Sequence, residues 1–385
     1  MDRRNFLTRV AATGLAALAP RLSYAVAPDY RRLLVLVELK GGNDGLNTVV
    51  PFTDTAYYTL RPKLAIARDQ VLQLSDAAGL HPALEPLMPI WQSKRLAIIQ
   101  GVGYPQPNLS HFRSIEIWDT ASRSDEYLDL GWLTRAFRCA PVPGAFAADG
   151  VILGSQDPGP LSGGARAIAL ADRDRFLRQA RLATDKGSSA NPALAHVLKV
   201  EDDISRAAQK FADAQPHAFR TTFAKGPVGD LVRTAVDIVA GKAGVAVLRL
   251  TMTGFDTHHG QLGTHANLLG QLADGLVAFK SALEEIGAWD DTLIMTYAEF
   301  GRRPKENQSS GTDHGTANVH FALGGKVRGG FYGEPPNLLR LDGEGNLGFA
   351  VDYRRLYATA LERWWGIEAA PIVGRGFAPM EFVAA

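Results

Sequence analysis

Short apolar runs punctuate the chain at 33–39, 96–102, 245–250 and 292–296. Each is rich in Leu, Ile, Val or Thr, with no polar/apolar alternation to mark a solvent face. Strands buried on both faces read this way, as they do in parallel sheets. Between the runs, apolar residues recur at helical spacing over 83–94, 110–120, 173–184, 190–215, 228–241 and 262–286, and again over 352–365. Pro82 precedes the first of these, and Ser110 stands where an N-cap or first-turn residue belongs. Strands alternating with helices predict an α/β fold, with a mainly parallel central sheet flanked by helices.

Segment 140–164 is rich in Pro and Gly and reads as a long surface excursion. Residues 184–192 read as a polar loop. Neither divides the chain, because strands from both halves are needed for one sheet. The expectation is a single domain over residues 26–385, with a helical insertion around 165–225.

The N-terminal stretch MDRRNFLTRVAATGLAALAPRLSYAVAP stands apart from this pattern. Arg3 and Arg4 precede Phe6, Leu7 and an Ala-rich stretch, and Ser23-Tyr24-Ala25 has the form of a small-x-small cleavage site. That order is a twin-arginine (Tat) export signal over residues 1–25. The plainer alternative is an amphipathic N-terminal helix. The apolar run is too short for a permanent membrane span, and no later segment is long and apolar enough for one. The expected location is the periplasm or beyond, reached through the Tat translocase. That route carries folded proteins, often with a cofactor already inserted.

Composition narrows the chemistry. With 46% hydrophobic and 21% charged residues, the chain is an ordinary soluble globular protein. A formal charge of +1 gives no nucleic-acid footprint. Losing residues 1–25 removes four Arg and one Asp and takes that charge to −2. Cys139 is the single cysteine, so internal disulfides and thiol-rich metal sites are excluded. Any metal must be held by His, Asp, Glu or hydroxyl groups.

Functional residues of open α/β sheets gather beyond the carboxyl ends of the strands. Four such ends carry polar clusters here. GGND supplies Asn43 and Asp44. NLSHFRS supplies Ser110, His111 and Arg113. GFDTHH supplies Asp256, His258 and His259. The stretch from AEFGR to TDHGTANVH supplies Glu299, Arg302, Asp313, His314 and His320. Five of the nine histidines fall in these clusters. Asp with His suits Zn²⁺, Mn²⁺ or Fe, and two neighbouring ions would need about this many ligands. Each cluster also has a plain structural reading. Asp44 serves as a turn residue, Ser110 as a helix cap, Asp256 as a helix-start cap, and Glu299 with Arg302 as a surface ion pair. GGNDGLN lacks the spacing of a dinucleotide or Walker loop. No G-x-S-x-G elbow surrounds Ser110.

The order GGND, SHFRS, FDTH, EFGR and TDHG behind a Tat signal resembles an exported bacterial family known as domain of unknown function 1501. That family is related to the alkaline phosphatase/sulfatase-like superfamily, and the resemblance spans nearly the whole mature chain. It implies an alkaline-phosphatase-like fold and one or two divalent ions (Zn, Mn, Mg or Ca) on Asp44, Asp256, His258, Asp313 and His314. His259 competes with His258, and His320 is the one candidate for a further C-terminal ligand. The resemblance also implies a Ser110 nucleophile at a helix N-terminus; in such a reaction His111 or His259 would serve as proton donor. Asn43, Arg113, Glu299 and Arg302 would bind substrate. The implied activity is metal-dependent hydrolysis or transfer of phosphate or sulfate esters, on a small-molecule or polymer-borne substrate. The spacing near Asp256 and His320 departs from the superfamily pattern. That departure leaves open a non-catalytic exported protein that binds an envelope partner.

Overall fold

The computed structural model describes residues 28–170, 189–213 and 217–384. The expected export signal and the helix at 173–184 lie outside them.

Nine strands form the central sheet. In chain order they are β1 (Leu33–Lys40), β2 (Leu96–Gly103), β3 (Ala148–Leu153), β4 (Ala167–Leu170), β5 (Val245–Thr253), β6 (Thr292–Tyr297), β7 (Asn318–Gly324), β8 (Gly330–Gly333) and β9 (Val351–Asp352). Their spatial order is β8-β2-β7-β6-β1-β5-β3-β4, with β9 also paired to β2. Every pairing is parallel except those of β7, which runs antiparallel to β2 and β6.

Successive side chains of a strand face opposite ways, and β1 shows the result. Leu33, Val35, Val37 and Leu39 pack into one core with Val232, Leu269, Leu272 and Leu276. These come from two helices, Pro227–Ala240 and Gln261–Glu285. Leu34 and Leu36 face the opposite core, with Ile117, Trp118, Trp132, Leu133 and Trp365. Helix α1 (His111–Thr120), helix α2 (Trp132–Cys139) and the C-terminal helix cover that side. The sheet is therefore sandwiched between two helical layers, which explains the unbroken apolar runs.

The four expected strands and most helices appear close to their expected bounds. Segment 83–94 breaks into a 3₁₀ turn, Pro82–Leu87, and a short helix, Met88–Gln92, because Pro86 and Pro89 remove amide donors. The C-terminal helix starts at Arg354 and widens to π-helical geometry over Thr359–Trp365. Segment 140–164 is no mere surface excursion: it contains β3, all six of whose residues are buried. Its apolar run is only Val-Ile-Leu, too short to stand out among prolines and glycines. Likewise 165–225 opens with an edge strand, β4, before the helix Pro192–Asp213.

The carboxyl ends of β1, β2, β5 and β6 share one edge of the sheet, and antiparallel β7 starts there. All four polar clusters are thereby delivered to one rim.

Candidate active site and metal centre

At this rim, His111, Asp256, His258 and His314 come together. The Nε2 atoms of His258 and His314 are 3.0 Å apart. Oδ1 of Asp256 lies 3.0 Å from the first and 3.1 Å from the second. Nε2 of His111 stands 3.3 Å from Oδ2 of the same carboxylate. That nitrogen is closed off from solvent and makes no hydrogen bond among the described residues beyond this contact.

Each member is held from behind. Nδ1 of His111 lies 2.8 Å from Oε1 of buried Glu299. The hydrogen bond to Glu299 raises the imidazole pKa above its ordinary value, burial opposes it, and the charges of Glu299 and Asp256 add to the rise. Nδ1 of His314 lies 2.8 Å from the carbonyl of Leu109. Burial lowers the pKa of His314, partly offset by that carbonyl. Arg302 donates to Oδ1 of Asp256 at 2.5 Å. Burial would raise the pKa of Asp256, yet the hydrogen bond and charge of Arg302, helped by His314 and His258, bring it down to about 2. Asp313 stands on the rim, with Oδ1 3.4 Å from Nδ1 of His258 and accepting from Asn307 at 3.2 Å.

The donor set fits a divalent ion. His111, Asp256 and His314 offer atoms all within 4.8 Å of one another, and His258 adds a nitrogen 3.0 Å from both Asp256 and His314. Ligands held at about 2.0–2.1 Å in a tetrahedral zinc site stand about 3.3 Å apart, close to the 3.0–3.3 Å that separate Asp256 from each of the three imidazoles. Nε2 of His111 faces the same carboxylate that the other two imidazoles face, so all three nitrogens share Asp256 as their common neighbour. Nitrogen and oxygen donors of this kind suit Zn²⁺, Mn²⁺ or Fe.

The structure puts other expected site residues to different use. Asp44 is fully buried and paired with Arg61, Nη1 to Oδ2 at 2.6 Å. It also caps the one-turn helix Gly45–Thr48 and accepts from Gln261. Its charge is thus satisfied away from Asp313 and His314. Asn43 donates to Thr48 and pairs with His265 at 2.9 Å. Arg302 is not a surface gripper: beyond Asp256, its guanidinium donates to the carbonyls of Gly41, Gly42, Phe255 and Thr312. Arg113 clamps the carbonyls of Arg123, Ser124 and Glu126. Glu299 faces His111 and the amide of Gly41. His320 is buried in β7 against Trp118, with neither ring nitrogen hydrogen-bonded among the described residues, and His259 is exposed beside the cluster. Arg61, Asn307 and the Leu109 carbonyl carried no signal in the sequence, since nothing in spacing links them to their partners.

Ser110 is the N-cap of α1, but its side chain makes no capping bond. It is exposed, between Leu109, which holds His314, and His111. The first amides of a helix have no intrahelical acceptor. With the serine hydroxyl uncommitted, they are available to an anion.

The chain belongs to the family described as protein of unknown function, DUF1501, which matches residues 77–373. No curated protein matches it in sequence. Among solved structures, it is similar to the phosphonate monoester hydrolase SpPMH from Silicibacter pomeroyi, at 11% identity over 91% of this chain and 78% of that one, with a TM-score of 0.42. A protein in the alkaline phosphatase superfamily from Vibrio parahaemolyticus shares 11% identity over 97% and 78% of the two chains, with a TM-score of 0.39. The lipoteichoic acid synthase LtaP from Listeria monocytogenes shares 9% over 80% and 68%, with a TM-score of 0.36. Family membership rests on the sequence match, and the α/β architecture on the sheet order above.

Proposed function

We propose that the protein is a metal-dependent hydrolase or transferase of phosphate or sulfate esters, with Ser110 as nucleophile. The observation that carries this reading is the convergence of His111, Asp256, His258 and His314 beside an uncapped helix N-terminus bearing Ser110. His111, Asp256, His258 and His314 would hold one divalent ion, with Asp313 at the margin. Such an ion supplies Lewis-acid polarisation of the ester oxygens. The α1 amides bind the non-bridging oxygens of the ester. The Ser110 hydroxyl attacks phosphorus or sulfur and gives up its proton. The bond to the leaving oxygen breaks, the serine proton passes through water to that oxygen, and water or an acceptor alcohol then takes the group from Ser110 and restores its hydroxyl. Glu299 and Arg302 orient His111 and Asp256 rather than touching substrate.

Export by the Tat route belongs to the same proposal and rests on the residue 1–25 pattern. No helix among the described residues is long and apolar enough to cross a membrane.

One observation favours a second reading, a non-catalytic exported protein that binds an envelope partner. Asp44 is committed to Arg61, which leaves donors for one ion rather than two. Elemental analysis of the purified protein, followed by a phosphate- and sulfate-ester panel with the ion found, separates the readings. Ser110→Ala is expected to keep the ion and abolish turnover. Undiminished turnover in that variant refutes the nucleophile assignment.

A further inference from the structure

A cleft of about 620 Å³ opens beside His111, along α1. Ligand pockets typically run from about 300 to 1,000 Å³. Lys40, His111, Phe112, Asp119, Asp129 and Asp157 line it. Asp119 is the unusual member. It is 7% exposed, makes no side-chain hydrogen bond among the described residues, and has Oδ1 closed off from solvent. Its natural counter-charge is engaged elsewhere: Arg249 donates to Glu38 at 2.8 Å, to Tyr297 at 2.8 Å and to the carbonyl of Asp157 at 2.5 Å. An unpaired buried carboxyl is costly unless it is neutral or meets a ligand.

We propose that this cleft is the leaving-group subsite of the reaction above, and that it takes a neutral, polyhydroxylated group such as a sugar or cyclitol. The inference rests on the ester-hydrolase reading for its role, though not for its binding chemistry. Asp119 lies eight residues beyond His111, which is about 12 Å along a helix. It is too far to act at the reacting atom, and it holds the distal part of an extended substrate as a positioning residue. Burial raises the Asp119 carboxyl well above the ordinary carboxylate range, against the pull of Arg249. A neutral acid both donates to and accepts from a hydroxyl group. Phe112, 90% exposed, offers an aromatic face at the rim for the apolar side of a ring. Exposed Asp129 and Asp157 outnumber the single ammonium of Lys40, and Glu116 is paired with Arg113 at 2.9 Å. A second anionic group on the substrate is therefore disfavoured.

The test is saturation-transfer NMR on the intact protein, with methyl glucoside, myo-inositol and spermidine as probes. The two polyols are expected to bind, and spermidine is not. Phe112→Ala and Asp119→Leu should each weaken polyol binding by about tenfold or more. Asp119→Asn, which keeps an uncharged donor and acceptor, should retain it. Absence of polyol binding to the wild-type protein overturns the proposal. So does spermidine bound in place of the polyols, or polyol binding unchanged in both Phe112→Ala and Asp119→Leu. His258→Ala should leave polyol binding in place. If ester turnover is missing while Phe112-dependent polyol binding persists, the cleft stands and the hydrolase reading falls.

Discussion

Glu299 holds His111 in one orientation: Oε1 lies 2.8 Å from the imidazole Nδ1 while both carboxylate oxygens accept from the Gly41 amide. Nδ1–H is thereby paired with Glu299, and Nε2 is turned toward Asp256, where it can serve an ion once unprotonated. Carboxylates placed behind ligating histidines act this way, and losing one typically costs about 10–100-fold in metal affinity. Glu299→Gln keeps the size and the Gly41 contact but removes the charge. It is expected to lower metal affinity within that range while leaving the fold intact. Competitive metal titration alongside circular dichroism checks this. Unchanged affinity argues that His111 is not a ligand.

Asp44 and Arg61 pose a different question. Both side chains are fully buried, so removing one leaves an uncompensated charge in the interior. Such losses are worth about 3–5 kcal/mol. Asp44→Ala should therefore lower unfolding free energy by about that amount, with metal content per folded molecule preserved. Denaturant titration and elemental analysis of the folded fraction measure the two effects separately. Loss of metal without loss of stability would restore Asp44 to the ligand set.

The buried histidines set an acid limit on stability. Burial alone lowers His320 to about 3 from an ordinary 6.5. Burial likewise lowers His265 and His81 to about 4, against the opposing charge of Asp44. The unfolded chain binds these protons near pH 6.5, and the folded chain does not. Stability from this source is complete above pH 6.5 and falls as the pH drops, levelling off below the folded values. Each such group contributes a slope approaching about 1.4 kcal/mol per pH unit within its window. His320→Phe keeps a ring against Trp118 and removes two unpartnered nitrogens. Its stability should fall less steeply with acidification between pH 6.5 and 4.5, as read from unfolding free energies at fixed salt. An unaltered slope would show that His320 gains its proton without unfolding.

The fold was legible where burial writes itself into the sequence. β1, β2, β5 and β6 are covered on both faces, and only continuous apolar runs satisfy that. β3 and β4 escaped because a strand of four to six residues near the sheet edge needs little apolar length. The meeting of His111, Asp256, His258 and His314 was legible by location, because a parallel sheet gathers the ends of its strands at one rim; whether they form a site is part of the proposal. What remained hidden was the assignment of counter-charges. Asp44 and Asp256 look alike in sequence, each two residues after a glycine at a strand end. Arg61 neutralises the first out of solvent, whereas Arg302 binds the second from behind and leaves it facing three imidazoles. Such pairing is decided by tertiary contacts and has no local pattern.

The paired glycines of GGND contribute to the site through Gly41, which has φ +118. Its amide donates to Glu299 and its carbonyl accepts from Arg302, so it links the supports of His111 and Asp256. A Cβ at this position would strike the backbone nitrogen of Asp256. Backbone strain of this type costs on the order of 1–3 kcal/mol, and here the neighbour that must give way carries the shared carboxylate. Gly41→Ala is therefore expected to lower stability by about that amount and to weaken metal binding as well. Gly270→Ala is the control: it lies within the helix Gln261–Glu285, with open space where its Cβ would stand. It should stabilise the protein by about 0.5–1 kcal/mol and leave metal binding unchanged. Thermal unfolding with and without chelator, on both variants, decides the matter. If Gly41→Ala loses stability yet keeps full metal affinity, the glycine serves the turn alone and the position of Asp256 is set by Arg302.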